Sequence, residues 1–353
     1  MRTRDLEKQP AVASLIGAAL WASVVLLAGL RRAPFGVIEL LLLFAVLVIV
    51  PLGFNLVQIR SSGGGENRVR TLLWLEVSAA LAVMVSLWQR PGAVAAVLTV
   101  PWFVLGVYVA LTGAWTFYRR ETKSLADLAV SVAGVDLAFA GGWLVVSRAG
   151  LHPMGFQEPI VLLTAVHFHY SGFAVALVVA AALPVREDRA IRFAILTPIA
   201  GLVLFLPFLL AAGFVTSPAL RMVAALGLAV SVPALAGCLF WMCRTFYAPA
   251  ARVYMRLAAV AAWIAMCLAG VYAVTDYTGR AFMTMPGMAS THGVLNGLGF
   301  VLCSMLAFSI EGKTRDRASD GSELQRSAAE LVRKRPATVR TAPEFVAREF
   351  YDR

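Results

Sequence analysis

Ile160-Val-Leu-Leu-Thr164-Ala-Val-His167-Phe-His169-Tyr170-Ser171-Gly172-Phe173 begins an apolar run that continues to residue 183 and holds two of the four histidines of the chain. A stretch of ~20 apolar residues crosses a ~30 Å hydrocarbon core as a helix, so this one reads as a membrane span. Ionisable side chains inside hydrocarbon are costly unless they face a bundle interior or a wet cavity, which makes an intramembrane pair of imidazoles a candidate functional site. Reading outward from this stretch, similar runs lie at about 11 to 30, 37 to 57, 71 to 88, 94 to 115, 125 to 147, 193 to 214, 221 to 243, 253 to 275 and 289 to 310. With the run at 160 to 183 they make ten spans. The fold class expected is therefore an all-α integral membrane bundle.

Composition agrees. Hydrophobic residues make up 60% of the 353 residues and charged residues only 14%, against about 25% charged in an ordinary soluble domain. The net charge of +11 does not imply nucleic acid, because basic residues of a membrane protein collect in its cytoplasmic loops. If the N-terminus is cytoplasmic, every inside segment before the tail carries three basic residues, 15 in all, against six outside: Arg31, Arg32, Arg90, Arg148, Arg221 and Arg280. That asymmetry supports ten spans with both termini inside, in the cytoplasmic (inner) membrane of the cell. The first run exceeds the apolar core of a signal peptide and is expected to be retained. Cys238, Cys243, Cys267 and Cys303 lack metal-type spacing and read as buried thiols.

Two domains are expected: residues 1–310 as the transmembrane region and 311–353 as a basic cytoplasmic tail with 10 basic residues. Within the tail, Ser322-Glu-Leu-Gln325 followed by Ala328 and Leu331 fits the start of a short amphipathic helix, a segment suited to anionic lipid headgroups.

The polar groups inside the spans suggest where chemistry would lie. On a straight helix positions i and i+2 point ~200° apart, so His167 and His169 face different neighbours. His167 shares its face with Thr164, Tyr170 and Ser171 and is the candidate for a cavity, whereas His169 is directed to another helix. In the tenth span Thr291-His292-Gly293 precedes Asn296 and Gly297, with His292 and Asn296 on one face and the two glycines placed for close packing. Asp136 is the candidate carboxylate partner. Glu39, Asp276, Thr164 and Tyr170 are candidates for substrate binding, and the loop from His152 to Glu158 for a lid. Trp88, Trp115 and Trp143 read as interfacial anchors, and Pro101, Pro198, Pro207 and Pro233 as helix kinks.

The stretches His167-Phe-His169-Tyr170-Ser171-Gly172-Phe173 and Thr291-His292-Gly293, with Asn296 and Gly299-Phe300, resemble the YndJ-like family of bacterial polytopic membrane proteins. The resemblance implies that His167, His169, His292 and Asn296 act together. Family members are sometimes labelled transporters.

Three functions fit these groups. The preferred one is a membrane enzyme whose outer-half site acts on a lipophilic small molecule by acid–base or metal-assisted isomerisation, cyclisation or hydrolysis. Its cofactor would be none or a divalent metal held by His167 and His292. The second is a proton-coupled secondary transporter using the same residues. The third is a non-catalytic assembly or immunity factor in which the histidines only pack. Besides substrate, membrane lipids are the expected partners.

Overall fold

A computed structural model describes residues 9–60, 66–183, 190–280, 282–315 and 317–318. Its described residues form helices and connections, with no strand among them. Ten helices are long and apolar enough to span a membrane: α1 Val12–Gly29, α2 Val37–Val57, α3 Thr71–Trp88, α4 Ala93–Arg119, α5 Leu125–Arg148, α6 Ile160–Ala182, α7 Ala194–Thr216, α8 Pro218–Thr245, α9 Pro249–Tyr277 and α10 Met285–Arg315. The chain is an all-α integral membrane bundle. The face holding the connections before α2, α4, α6, α8 and α10 is called distal below. The amphipathic segment expected near residues 322–331 lies outside the described residues.

The helix ends follow from their sequences. Ser124 caps α5 by accepting a hydrogen bond from the Asp127 N–H at 3.1 Å, while Asp127 accepts from the Ser124 N–H and pairs with Arg120 at 2.6 Å. Asp127 is thereby bound into a helix start. Pro218 and Pro249 stand in the first turns of α8 and α9, where a missing N–H costs nothing. At the far end of α10, Glu311 accepts from the backbone N–H groups of Tyr247 and Ala248 and from Arg315, tying the α8–α9 connection to this helix.

Burial sorts the helices into centre and rim. In α2 and α6, 83% and 72% of the apolar segment is buried, while no other span exceeds 50%. Both central helices contain π-helical turns, Ala45–Ile49 in α2 and Phe168–Ala174 in α6. Glycines set the closest contacts. A methyl group on Gly134 would lie 2.9 Å from Ala110 Cα, and one on Gly141 would lie 2.8 Å from Phe103 Cα, so α4 and α5 meet backbone to backbone. Small residues permit such approach within a membrane, where apolar burial alone does not drive helices together. Phe168 of α6 joins Phe139 of α5 and Phe208 of α7 in an aromatic cluster with centroids 5.6 to 5.9 Å apart.

Candidate functional site

α6 is regular through His167 and widens into its π turn from Phe168 onward. The two histidines straddle that change and go to opposite environments. His169 is fully buried, its Nδ1 2.8 Å from the Ala165 carbonyl and its Nε2 3.0 Å from the indole nitrogen of Trp102 on α4. A carbonyl only accepts and an indole N–H only donates, so His169 carries its proton on Nδ1 and accepts at Nε2. Both ring nitrogens are thus engaged within the protein. Trp102, itself fully buried, is the residue that fixes this histidine, and its sequence context of Val100-Pro101-Trp102-Phe103 gave no sign of that role.

His167 turns the other way. It lines a cavity of about 360 Å³ bounded by α6, α7, α8, α9 and α10, with Leu41 of α2 and Trp143 of α5 completing the wall. The same cavity is lined by His292, Asn296, Tyr170, Thr164, Ser171 and Asp276. Its volume lies in the range of small-molecule sites, ~300–1,000 Å³, and most of its lining is apolar. Thr164 and Ser171 donate their hydroxyl protons to the carbonyls of Ile160 and His167 one turn back, so their donors are already used. His167 Nε2, in contrast, is buried without a hydrogen-bond partner. A buried polar atom left unpaired is disfavoured unless something else completes it.

Two close contacts bring α10 to the central helices α6 and α2. A methyl on Gly297 would lie 3.1 Å from the Tyr170 ring, and one on Gly293 would lie 3.0 Å from Leu41 of α2. The Tyr170 hydroxyl donates to the Leu41 carbonyl at 2.8 Å and joins the central helices in the cavity wall. In α10 the π turns Ala289–Gly293 and Leu295–Val301 carry His292 and Asn296. His292 Nδ1 lies 2.9 Å from the Ala265 carbonyl of α9, which assigns the ring proton to Nδ1 and leaves Nε2 an acceptor. The Asn296 amide nitrogen is 3.2 Å from both ring nitrogens. With the ring proton on Nδ1, the amide N–H has Nε2 as its acceptor, so Asn296 orients the His292 ring.

The acidic candidates separate. Asp276 reaches the cavity but pairs with Arg221 of α8 at 2.6 Å. Asp136 is buried on the α5-facing side of α6, where a methyl on Gly172 would lie 2.5 Å from its Cγ, and it does not line the cavity. Glu39 accepts from the Gly36 N–H at 2.9 Å and caps the start of α2 instead of facing the imidazoles. His152 is exposed in the α5–α6 connection, and Phe156 is the residue of that loop that reaches the cavity. Trp143 lines the cavity too and is no interfacial anchor, unlike the exposed Trp88 and Trp115. A metal site takes about three or four protein donors. Among the described residues no group of three or more His, Cys, Asp or Glu side chains is gathered for one.

Against this geometry the model of the family of YndJ-like proteins matches residues 40–300. The chain belongs to the YndJ-like family. The matched region runs from α2 into α10 and includes both histidine stretches. The chain is 25% identical over 270 residues to the uncharacterized membrane protein YndJ of Bacillus subtilis (strain 168), covering 76% of this chain. It spans about half the length of that relative, 47%. No solved structure matches this YndJ-like chain.

Proposed function

We propose that this YndJ-like protein is a membrane-embedded enzyme that moves protons on a lipophilic small molecule, using His167 and His292 as its acid–base pair. The observation that carries the reading is that two imidazoles, His167 with a buried and unpartnered Nε2 and His292 with its ring oriented by Asn296, line one mostly apolar cavity. One imidazole accepts a proton from the substrate as the other, once protonated, returns one at a second atom, which is the chemistry of an isomerisation or cyclisation. Asn296 holds the His292 ring, and Tyr170 holds α6 to α2. His169 and Asp136 support the walls from the α4–α5 side. In this reading the distal face, and the cavity's distal end, lie outside the cytoplasm of a bacterial inner membrane, an orientation the positive-inside count supports.

The test is conversion of a lipid extract. Protein in nanodiscs is incubated with the total lipid extract of its producing cells, and the species are separated by chromatography and compared by mass spectrometry for wild type, His167→Ala and His292→Ala. An isobaric product formed by wild type alone is the expected result. Absence of any converted species with wild type, while the same lipids co-purify with all three proteins, would return the cavity to a transport or binding role.

A further inference from the structure

The cavity is layered. His167 and His292 each stand seven residues from the distal ends of their helices, Ile160 and Met285, which is ~10 Å along the axis. Arg221 follows Pro218 by only three residues and Asp276 precedes the last residue of α9 by one, so this pair lies near the distal rim. These two are the only Lys, Arg, Asp or Glu residues among those lining the cavity. Beyond the imidazoles the wall continues with Val175, Leu228, Val232, Phe300 and Val301. Charge at the membrane surface, ionisable rings below it and hydrocarbon beneath them reproduce the order of groups along a lipid.

We infer, on the proposed reading of the cavity as a substrate site, that its substrate is a single-chain amphiphile with an oxyanion head, carboxylate or phosphate, and that Arg221 binds that head at the rim. Arg221 is held ready for an anion. Its guanidinium carbon lies 5.0 Å from the centre of the Phe214 ring, and its ion-pair partner among the described residues is Asp276, through Nη2 to Oδ2. The backbone of α8 at Arg221 is packed against Gly213, where a methyl would come 2.5 Å from the Arg221 nitrogen, so the base of the side chain is fixed. Both partners of the ion pair are about one third exposed, at 31% and 33%. A guanidinium fork can receive a second oxyanion on its remaining N–H groups or exchange Asp276 for it, and such charge-assisted bonds exceed neutral ones in strength. Asp276 therefore acts as a resident competitor, and Tyr272 and Tyr277 line the same rim with hydroxyl groups.

The experiment measures equilibrium binding of hexadecanoate, hexadecyl phosphate and hexadecanol to the full chain in phosphatidylcholine nanodiscs. Wild type is expected to bind at least one of the two anions about tenfold more tightly than the alcohol, the ratio that one charge-assisted contact supports. Whether hexadecanoate or hexadecyl phosphate binds more tightly names the head. Arg221→Gln is expected to reduce the preference to under about threefold, Arg221→Lys to restore part of it, and Asp276→Asn to increase it, because the competing carboxylate is gone. The gain in Asp276→Asn distinguishes recognition from damage, since a disrupted rim would lose binding of all three probes. Equal binding of anions and alcohol by wild type overturns the inference, as does a preference that survives Arg221→Gln. His167→Ala/His292→Ala keeps the preference, so failure of the acid–base reading and failure of the head-group reading give different results.

Discussion

The two sides of α6 show how one residue type serves two ends within three positions. Toward α4 and α5, His169 has both nitrogens engaged, Gly172 has no room for a methyl beside Asp136, and the wall is closed. Toward α10, His167 keeps a buried nitrogen without a partner beside a cavity. For the two histidines the second nitrogen makes the difference, but Asp136 Oδ1 is also buried and unpartnered on the closed side, so an unpaired atom points to a ligand only where a cavity adjoins it.

Substitutions can break that division. The largest effect is expected for His169→Ala, which strands the Trp102 N–H and opens a hole, costing ~2–4 kcal/mol of stability. Thermal unfolding in detergent measures it, and a midpoint equal to wild type would dissolve the contrast. Gly172→Ala is expected to cost ~1–3 kcal/mol through overpacking against Asp136, with the loss largely recovered in Gly172→Ala/Asp136→Gly. The same melts apply, and a double variant no better than the single one would show that the clash lies elsewhere. Tyr170→Phe removes one hydrogen bond to the Leu41 carbonyl, for ~1 kcal/mol. The smallest change is expected for His167→Ala, whose melting point should stay within about 0.5 kcal/mol of wild type while lipid conversion is lost. If His167→Ala unfolds as readily as His169→Ala, both sides of α6 are structural.

Ten spans were legible because length and apolarity are local properties, and each helix in the structure overlays one apolar run. The division of His167 from His169 was legible too, since a difference of two residues reverses direction on a helix. Asp136 shows where local reading stops. Its depth matched that of the imidazoles, but depth along a helix says nothing of azimuth in the bundle, and it fell behind α6. Glu39 misled for a related reason: three residues after Gly36, its carboxylate had a nearer N–H to cap. Arg221 was counted only as a loop charge, because its proximity to Asp276 crosses 55 positions of sequence. Trp102 reaches His169 over 67, and neither neighbourhood carries a marker of the other.

The wide turns in α2, α6 and α10 give the wall a sensitivity to residue number as well as residue type. A π turn closes its hydrogen bonds over five positions where an ordinary helix uses four. Each such turn therefore sets the rotational phase between the helix before it and the helix after it. Loss of one residue between Phe168 and Ala174 would leave an unbroken apolar helix with unchanged composition, but turn one half against the other by ~100°. The faces now given to Trp102 and to the cavity would then belong to other side chains. In this bundle the spacing of the two histidine stretches is a phase relation held by three helices.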